Sequence, residues 1–252
     1  MEIRVLGCAG TVSTETKTSA YLVNGKILLD AGTVCSALDF EEQKQLKKIL
    51  ISHPHFDHIK GLPTLAENLI FMKTSEPVTI YGSEMTIDAI RRHVMNGVIW
   101  PDFSKLPSKD SPVLQYEELK EKQSLEVDGV AITPCFLFKN FCDFGYFLDD
   151  GNSSLLYTSD IGADAELSIG GRVPDSIIIE VSFPDENREL ALMTGHLTPG
   201  LMMEMIEKLP EMPKNIFVSH FKTYFKKQII DQLNSLGIPN LKILSDGDVL
   251  KL

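Results

Sequence analysis

Three imidazoles and a carboxylate fall within six residues at His53-Pro54-His55-Phe56-Asp57-His58, directly after the apolar run Lys48-Ile49-Leu50-Ile51-Ser52. Neutral imidazole is the commonest protein ligand for zinc and iron, and a carboxylate among imidazoles can bind or bridge a second cation, so this spacing suits two metals rather than one. Clustered His and Asp at the end of a buried strand gain nothing from burial unless something binds them. Two cations need five or six protein ligands, and the chain offers others in the same setting. Tyr157-Thr158-Ser159-Asp160 ends an apolar strand in a carboxylate, and Asn215-Ile216-Phe217-Val218-Ser219-His220 ends another in a histidine. Taken alone, Asp160 would be a turn or helix-cap residue and His220 a satisfied buried histidine. One placement repeated three times argues instead for a shared ligand set.

The elements that must position these residues can be read from periodicity. Residues 3–8, 19–23 and 26–30 read as short strands, with Gly25 closing a hairpin between the last two. A charged helix over 41–48 leads into the strand that carries the histidines. A further helix starts at Asp57 and runs toward Leu65 and Leu69, followed by a strand at 78–81. Ile87, Ile90, Arg91 and Val94 share one helical period within 84–95, and 101–112 is a loop. A second set of strands covers 125–127, 131–138, 146–149, 154–159 and 176–180. Thr198-Pro199 supplies a helix N-cap with proline in the first turn, ahead of a helix over 201–209. The last strand-like runs are 215–219 and 241–244. Strands first and helices later predict an α/β protein: a single domain over 1–252 with two similar halves, roughly 1–124 and 125–252, each covered outside by helices.

The 252 residues, 43% of them hydrophobic, can fill a sizeable core. The start, Met1-Glu2-Ile3-Arg4-Val5-Leu6-Gly7, reads as a strand and not as a secretory signal, and no apolar run approaches the ~20 residues that span a bilayer. Cys8, Cys35, Cys135 and Cys142 include no Cys-x-x-Cys pair, which fits a reducing, cytoplasmic setting. A net charge of −11 disfavours nucleic acid and anionic membrane as partners. Two divalent metals would reverse that sign locally, so a phosphate or peroxide anion could still bind there.

The series His53-x-His55-x-Asp57-His58, Asp30 in Leu28-Leu29-Asp30-Ala31-Gly32, Asp160 and His220 resembles the motifs of the metallo-β-lactamase fold across almost the whole chain. Thr86-Ile87-Asp88-Ala89-Ile90, His93, Asn96, Ile99-Trp100-Pro101-Asp102-Phe103, Glu180-Val181-Ser182-Phe183-Pro184 and Gly195-His196-Leu197-Thr198-Pro199 are similar to segments of the class II cyclic-nucleotide phosphodiesterases. The resemblance implies an αβ/βα four-layer sandwich. It puts His53 and His55 on one metal, Asp57, His58 and His220 on the other, and Asp160 between them. It also implies that Asp30 orients a ligand or its loop and that His196 is a catalytic residue in reach of substrate or leaving group. A helix-start hydrogen bond is the plain alternative for His196.

The family has one more histidine ligand, after the strand that corresponds to 131–138. Here the chain reads Phe136-Leu137-Phe138-Lys139-Asn140-Phe141-Cys142-Asp143. Losing that imidazole leaves an open position on the His53/His55 metal. Phe136, Phe138, Phe141, Phe144, Tyr146 and Phe147 surround the gap; they are core packing or, if they line the pocket, exclude water and favour a small neutral gas. The expectation is therefore a binuclear, non-haem di-iron centre that binds dioxygen as a non-hydrolytic sensor and reports to a protein partner. This resembles the oxygen-binding di-iron branch of the superfamily and differs from the flavodiiron proteins, which have glutamate where this chain has His55. The alternative is a metal-dependent phosphodiesterase acting on cyclic nucleotides or a related phosphoester. Asn140 or Asp143 could also replace the missing ligand. The cofactor expectation is two divalent ions, with iron favoured and zinc or manganese acceptable to the same ligands.

Overall fold

The computed structural model describes residues 1–74, 76–138, 143–168 and 170–252. The chain divides into two compact units, Met1–Gly7 with Lys17–Lys120 and Gly247–Lys251, and Cys8–Thr16 with Glu121–Asp246 and the terminal Leu252.

In the first unit β1 (Glu2–Gly7), β2 (Ala20–Val23) and β3 (Ile27–Leu29) form an antiparallel set. Asn24 and Gly25 both take left-handed backbone at the β2–β3 hairpin. Helix α1 (Phe40–Gln45) leads to β4 (Lys48–Leu50), and α2 (Phe56–Ile59) and α3 (Leu62–Met72) lead to β5 (Val78–Gly82). Helix α4 (Glu84–His93) and a small ladder of β6 (Pro107–Ser108) with β7 (Ser111–Pro112) precede β8 (Leu114–Glu118). Strands β3, β4, β5 and β8 are parallel neighbours.

Three departures from the sequence reading have local causes. The helix expected from Asp57 is two helices, broken where Gly61 passes the backbone of Ala31: its N–H donates to the Ala31 carbonyl at 2.8 Å, and a Cβ there would lie 2.6 Å from that oxygen. Helix α1 starts at Phe40 because Asp39 and Glu42 close a reciprocal capping box, and it stops at Gln45 because Lys48 already belongs to β4. The loop expected over 101–112 contains the β6–β7 ladder, and β8 behind it was not anticipated. That strand is last in its sheet and buries only Leu114 fully, so it shows no apolar run.

In the second unit β9 (Leu125–Val127), β10 (Val130–Phe138), β11 (Asp143–Asp149) and β12 (Ser154–Tyr157) form an antiparallel meander. Next come β13 (Ser176–Glu180), α5 (Arg188–Thr194), α6 (Pro199–Ile206), β14 (Asn215–Ser219), α7 (Lys226–Ser235) and β15 (Leu241–Ile243). Strands β12 to β15 are parallel. Thr198 caps α6 by accepting from the Leu201 N–H, with Pro199 in the first turn. Finally β16 (Val249–Lys251) returns to pair antiparallel with β1, completing a seven-stranded mixed sheet in the first unit; the second unit has a seven-stranded mixed sheet of its own.

Each unit has its own core. Helix α3 buries Leu62, Leu65, Ala66 and Leu69, one face at helical spacing, in a cluster with Leu28, Ile49, Ile51 and Ile80. In the second unit Leu156, Ile177, Ile179, Ile216 and Val218 pack with Met202 and Met205 of α6. Parallel strands covered on both faces read as continuous apolar runs, which is why β4, β13 and β14 were the most legible elements. Leu65 is completely buried, so Leu65→Ala is expected to cost about 2–5 kcal/mol in urea unfolding. A loss under about 1 kcal/mol would mean that α3 is not packed as described.

Candidate metal centre

The polar residues sit at the carboxyl ends of parallel strands, where ligand sites of α/β sheets form. In the first unit Asp30 directly follows β3, fully buried and with φ at 55°. Its carboxylate accepts from the Ser52 N–H at 2.8 Å, from the Ser52 hydroxyl at 2.9 Å and from His58 Nδ1 at 2.7 Å. Burial pushes the Asp30 pKa up, but the adjacent His58 imidazole, with His53 and the Ser52 N–H, more than offsets this and holds the carboxyl below its ordinary value. Because Asp30 takes the Nδ1 proton of His58, Nε2 is left as a lone pair, the form a metal needs.

Around it, Asp57 Oδ2 lies 3.7 Å from His58 Nε2. His53 Nδ1 meets the Ser52 hydroxyl at 3.0 Å, and His53 Nε2 faces His55 Nδ1 at 2.9 Å. The His53 ring centroid is 4.2 Å from that of His58 and 4.5 Å from that of His55. Ring nitrogens and a carboxylate oxygen converging in this way are a donor set that fits a divalent ion. Gly32 fixes the approach of α2, since a Cβ there would lie 1.9 Å from the Asp57 carbonyl oxygen.

In the second unit Ser159 (φ 54°) and Asp160 follow β12, and His220 (φ 64°) follows β14. Asp30, Ser159 and His220 are thus three non-glycine residues held left-handed at strand ends. Such backbone costs on the order of 1–3 kcal/mol each and persists where the surroundings over-determine it, characteristically at ligand sites. The His220 N–H donates to the Cys8 carbonyl at 2.6 Å, its Nδ1 lies 3.1 Å from the Ser182 hydroxyl, and its Nε2 lies 3.1 Å from Asp160 Oδ1.

His196 Nδ1 bonds Glu180 Oε1 at 2.8 Å and lies 3.9 Å from Asp160 Oδ2. Ser182 donates to Glu180 Oε2 at 2.7 Å. Asp160, His196 and His220 each offer a ligand atom, all within 4.8 Å of one another. Burial works to lower the His196 pKa, but the Glu180 carboxylate in direct contact, with Asp160, more than offsets it and raises the imidazole above its ordinary value. The start of α6 is capped by Thr198, so the His196 side chain is committed to Glu180 and not to a helix end.

A Cβ on Gly10 would come within 2.7 Å of the His220 ring. Gly10→Ala is therefore expected to tilt that imidazole and weaken metal retention by roughly tenfold to a hundredfold, the usual effect of disturbing a ligand's support. Metal per chain measured after dialysis against a graded chelator checks this, and unchanged retention would show that His220 holds no ion.

The sequence reading gave Glu180 and Ser182 no role of their own. The signal for Glu180 was present, since it closes the apolar strand Ser176–Glu180 in the way that Asp160 and His220 close theirs. The segments around Asn96 and Trp100 build a loop: Asn96 Oδ1 accepts from the Val98 and Ile99 N–H groups, and Trp100 Nε1 donates to the Pro63 carbonyl. The aromatic run is mainly core. Phe144 and Tyr146 are fully buried, Phe147 belongs to the second unit's cluster and Phe136 stacks on Phe144 at 4.7 Å. Asp143 is buried at the start of β11. Asn140, Phe141 and Cys142 lie outside the described residues.

Among the described residues no helix is long and apolar enough to cross a membrane. Residues 26–221 match the family described as Beta-lactamase superfamily domain. The chain is similar to the 3',5'-cyclic-nucleotide phosphodiesterase of Aliivibrio fischeri, at 26% identity over 92% of this chain and 87% of that protein. It is also similar to the ribonuclease Z of Pyrococcus abyssi, at 36% identity over 62% of this chain and 52% of that protein. Unliganded yeast PDE1 shares the fold with a TM-score of 0.80 and 19% identity, covering 100% of this chain and 99% of that one.

Proposed function

Because the chain belongs to the beta-lactamase superfamily, with its metallo-β-lactamase αβ/βα fold, we propose that it is a metal-dependent phosphodiesterase acting on a cyclic nucleotide or a related phosphoester. The names of its relatives support this reading over the oxygen-binding one that the missing histidine suggested, since a cyclic-nucleotide phosphodiesterase and a ribonuclease both break phosphodiester bonds. Iron and dioxygen gain no support from them.

The observation that carries the proposal is the Glu180–His196 pair. Phosphodiester hydrolysis needs a proton donor for its leaving group, and an imidazole held by a buried carboxylate supplies one. Breaking the P–O bond leaves an alkoxide that must gain a proton as water adds to phosphorus. His196, with its Nδ1 proton bonded to Glu180, gives its Nε2 proton to that oxygen. Divalent ions held by His53, His55, Asp57 and His58 in the first unit and by Asp160 and His220 in the second would supply the positive charge that polarises the phosphoryl group and acidifies water. Asp30 and Ser182 keep His58 and His220 in the orientation and tautomer that such ions need.

The test is hydrolysis of bis(p-nitrophenyl) phosphate and of 3',5'-cyclic AMP by protein loaded with zinc or with manganese. Turnover that a chelator removes and metal restores is expected. No turnover with either metal, together with two irons per chain and a stable absorption band on admitting air, would return the oxygen-binding reading.

A further inference from the structure

A second polar site lies in the first unit at the opposite end of β4. The metal-binding candidates follow Leu50, whereas Lys48 begins the strand and lines a cavity of about 570 Å³ between the α1–β4 and α3–β5 connections. Lys44, Lys47 and Lys73 line it as well, against Glu76 as the one acidic lining residue. Lys44 is paired with Glu41. In a chain of net charge −11, a cavity lined by four lysines and one glutamate is a basic patch.

The Lys48 ammonium has no carboxylate within ion-pair distance among the described residues. It donates to Thr79 Oγ1 at 3.1 Å and to the Tyr81 hydroxyl at 3.2 Å, and it lies 5.2 Å from the Tyr81 ring centroid. Thr79 stands beside Lys48 in the β4–β5 register, and Thr79 and Tyr81 are only 3% and 6% exposed. A half-buried cation without a counter-ion among the described residues, in a cavity lined by three more lysines, is complementary to an oxyanion.

We propose that this cavity is an anion site that takes a phosphate-bearing small molecule of up to nucleotide size, with Lys47, Lys48 and Lys73 as its cationic contacts. The volume lies within the range of small-molecule sites. The proposal is independent of the phosphodiesterase reading, because none of these residues belongs to the metal-binding candidates.

Calorimetric titration of the intact protein with inorganic pyrophosphate tests it, using wild type, Lys48→Met and the rim variant Lys47→Gln/Lys73→Gln, with melting temperatures recorded for each. Binding of one pyrophosphate, weakened about tenfold or more in both variants and by added salt, is expected, while hydrolysis of bis(p-nitrophenyl) phosphate stays unchanged. Pyrophosphate held instead at the metal centre would bind both variants as it binds wild type and would be lost in His58→Ala. That result, or the absence of binding to wild type, would overturn the proposal. The rim variant decides the matter even if Lys48→Met disturbs folding, because Lys47 and Lys73 are surface residues.

Discussion

His58→Ala is expected to lower kcat/KM for phosphodiester hydrolysis by about a thousandfold and to release metal from the protein. The removed imidazole offers Nε2 as a ligand only because Asp30 holds its Nδ1 proton at 2.7 Å. Charge stabilisation by a bound ion is worth several kcal/mol in the transition state, which corresponds to roughly 10²–10³ in rate. The same substitution leaves the Asp30 carboxylate fully buried with Ser52 still donating to it but the His58 hydrogen bond unmade, which costs on the order of 1–3 kcal/mol of stability. The two effects must be separated. Asp30→Asn keeps the shape and the His58 ring but no longer accepts the Nδ1 proton with a full charge, so it is expected to cost only about ten- to a hundredfold in metal affinity. Metal content, kcat/KM and the urea midpoint measured together on both variants distinguish a ligand from a structural histidine. A His58→Ala protein that keeps its metal and a kcat/KM within about threefold of wild type would remove His58 from the metal centre.

The legible part of this molecule follows from how buried parallel strands look in sequence. Residues 48–50, 176–180 and 215–219 are apolar runs with no alternation, each ended by a polar residue that has no reason to be there except chemistry. That pattern found β4, β13 and β14 and the residues behind two of them. It could not find β16, which pairs with β1 across nearly the whole length of the chain, nor α7, which buries only Ile229 and Leu233 in a charged segment. Spacing could not show which distant residues pair: the resemblance implied that Asp30 orients a ligand, but not that it meets His58 across 28 positions, nor that His196 meets Glu180 across 16. The aromatic cluster misled because Phe144, Tyr146 and Phe147 carry the same residue types whether they fill a core or line a dry pocket, and burial alone separates the two. The absent histidine, which favoured oxygen binding, described what one coordination position lacks. The Glu180–His196 pair describes what the site adds, and only side-chain geometry could reveal it.

His196→Asn is expected to slow hydrolysis by about 10²–10⁴ for substrates whose leaving group is a sugar hydroxyl, and far less for those that expel p-nitrophenolate. A ribose alkoxide cannot depart without a proton, whereas p-nitrophenolate is stable as the anion, so the ratio of the two losses isolates proton donation from any change in metal binding. Contact with Glu180 raises the His196 pKa against the opposing effect of burial, so the donor stays charged above the ordinary imidazole value. Activity on the ribose substrate should therefore fall as pH rises through that raised value, above the ordinary imidazole range. Glu180→Gln removes the negative charge that raises it, and the alkaline limb should move to lower pH while the p-nitrophenyl substrate, needing no acid, shows no such shift. A metal ligand would behave differently, because losing His196 as a ligand would slow both substrates alike and lower the metal content. Equal losses on the two leaving groups, with metal released, would place His196 among the ligands of Asp160 and His220 and leave the proton donor to be sought elsewhere.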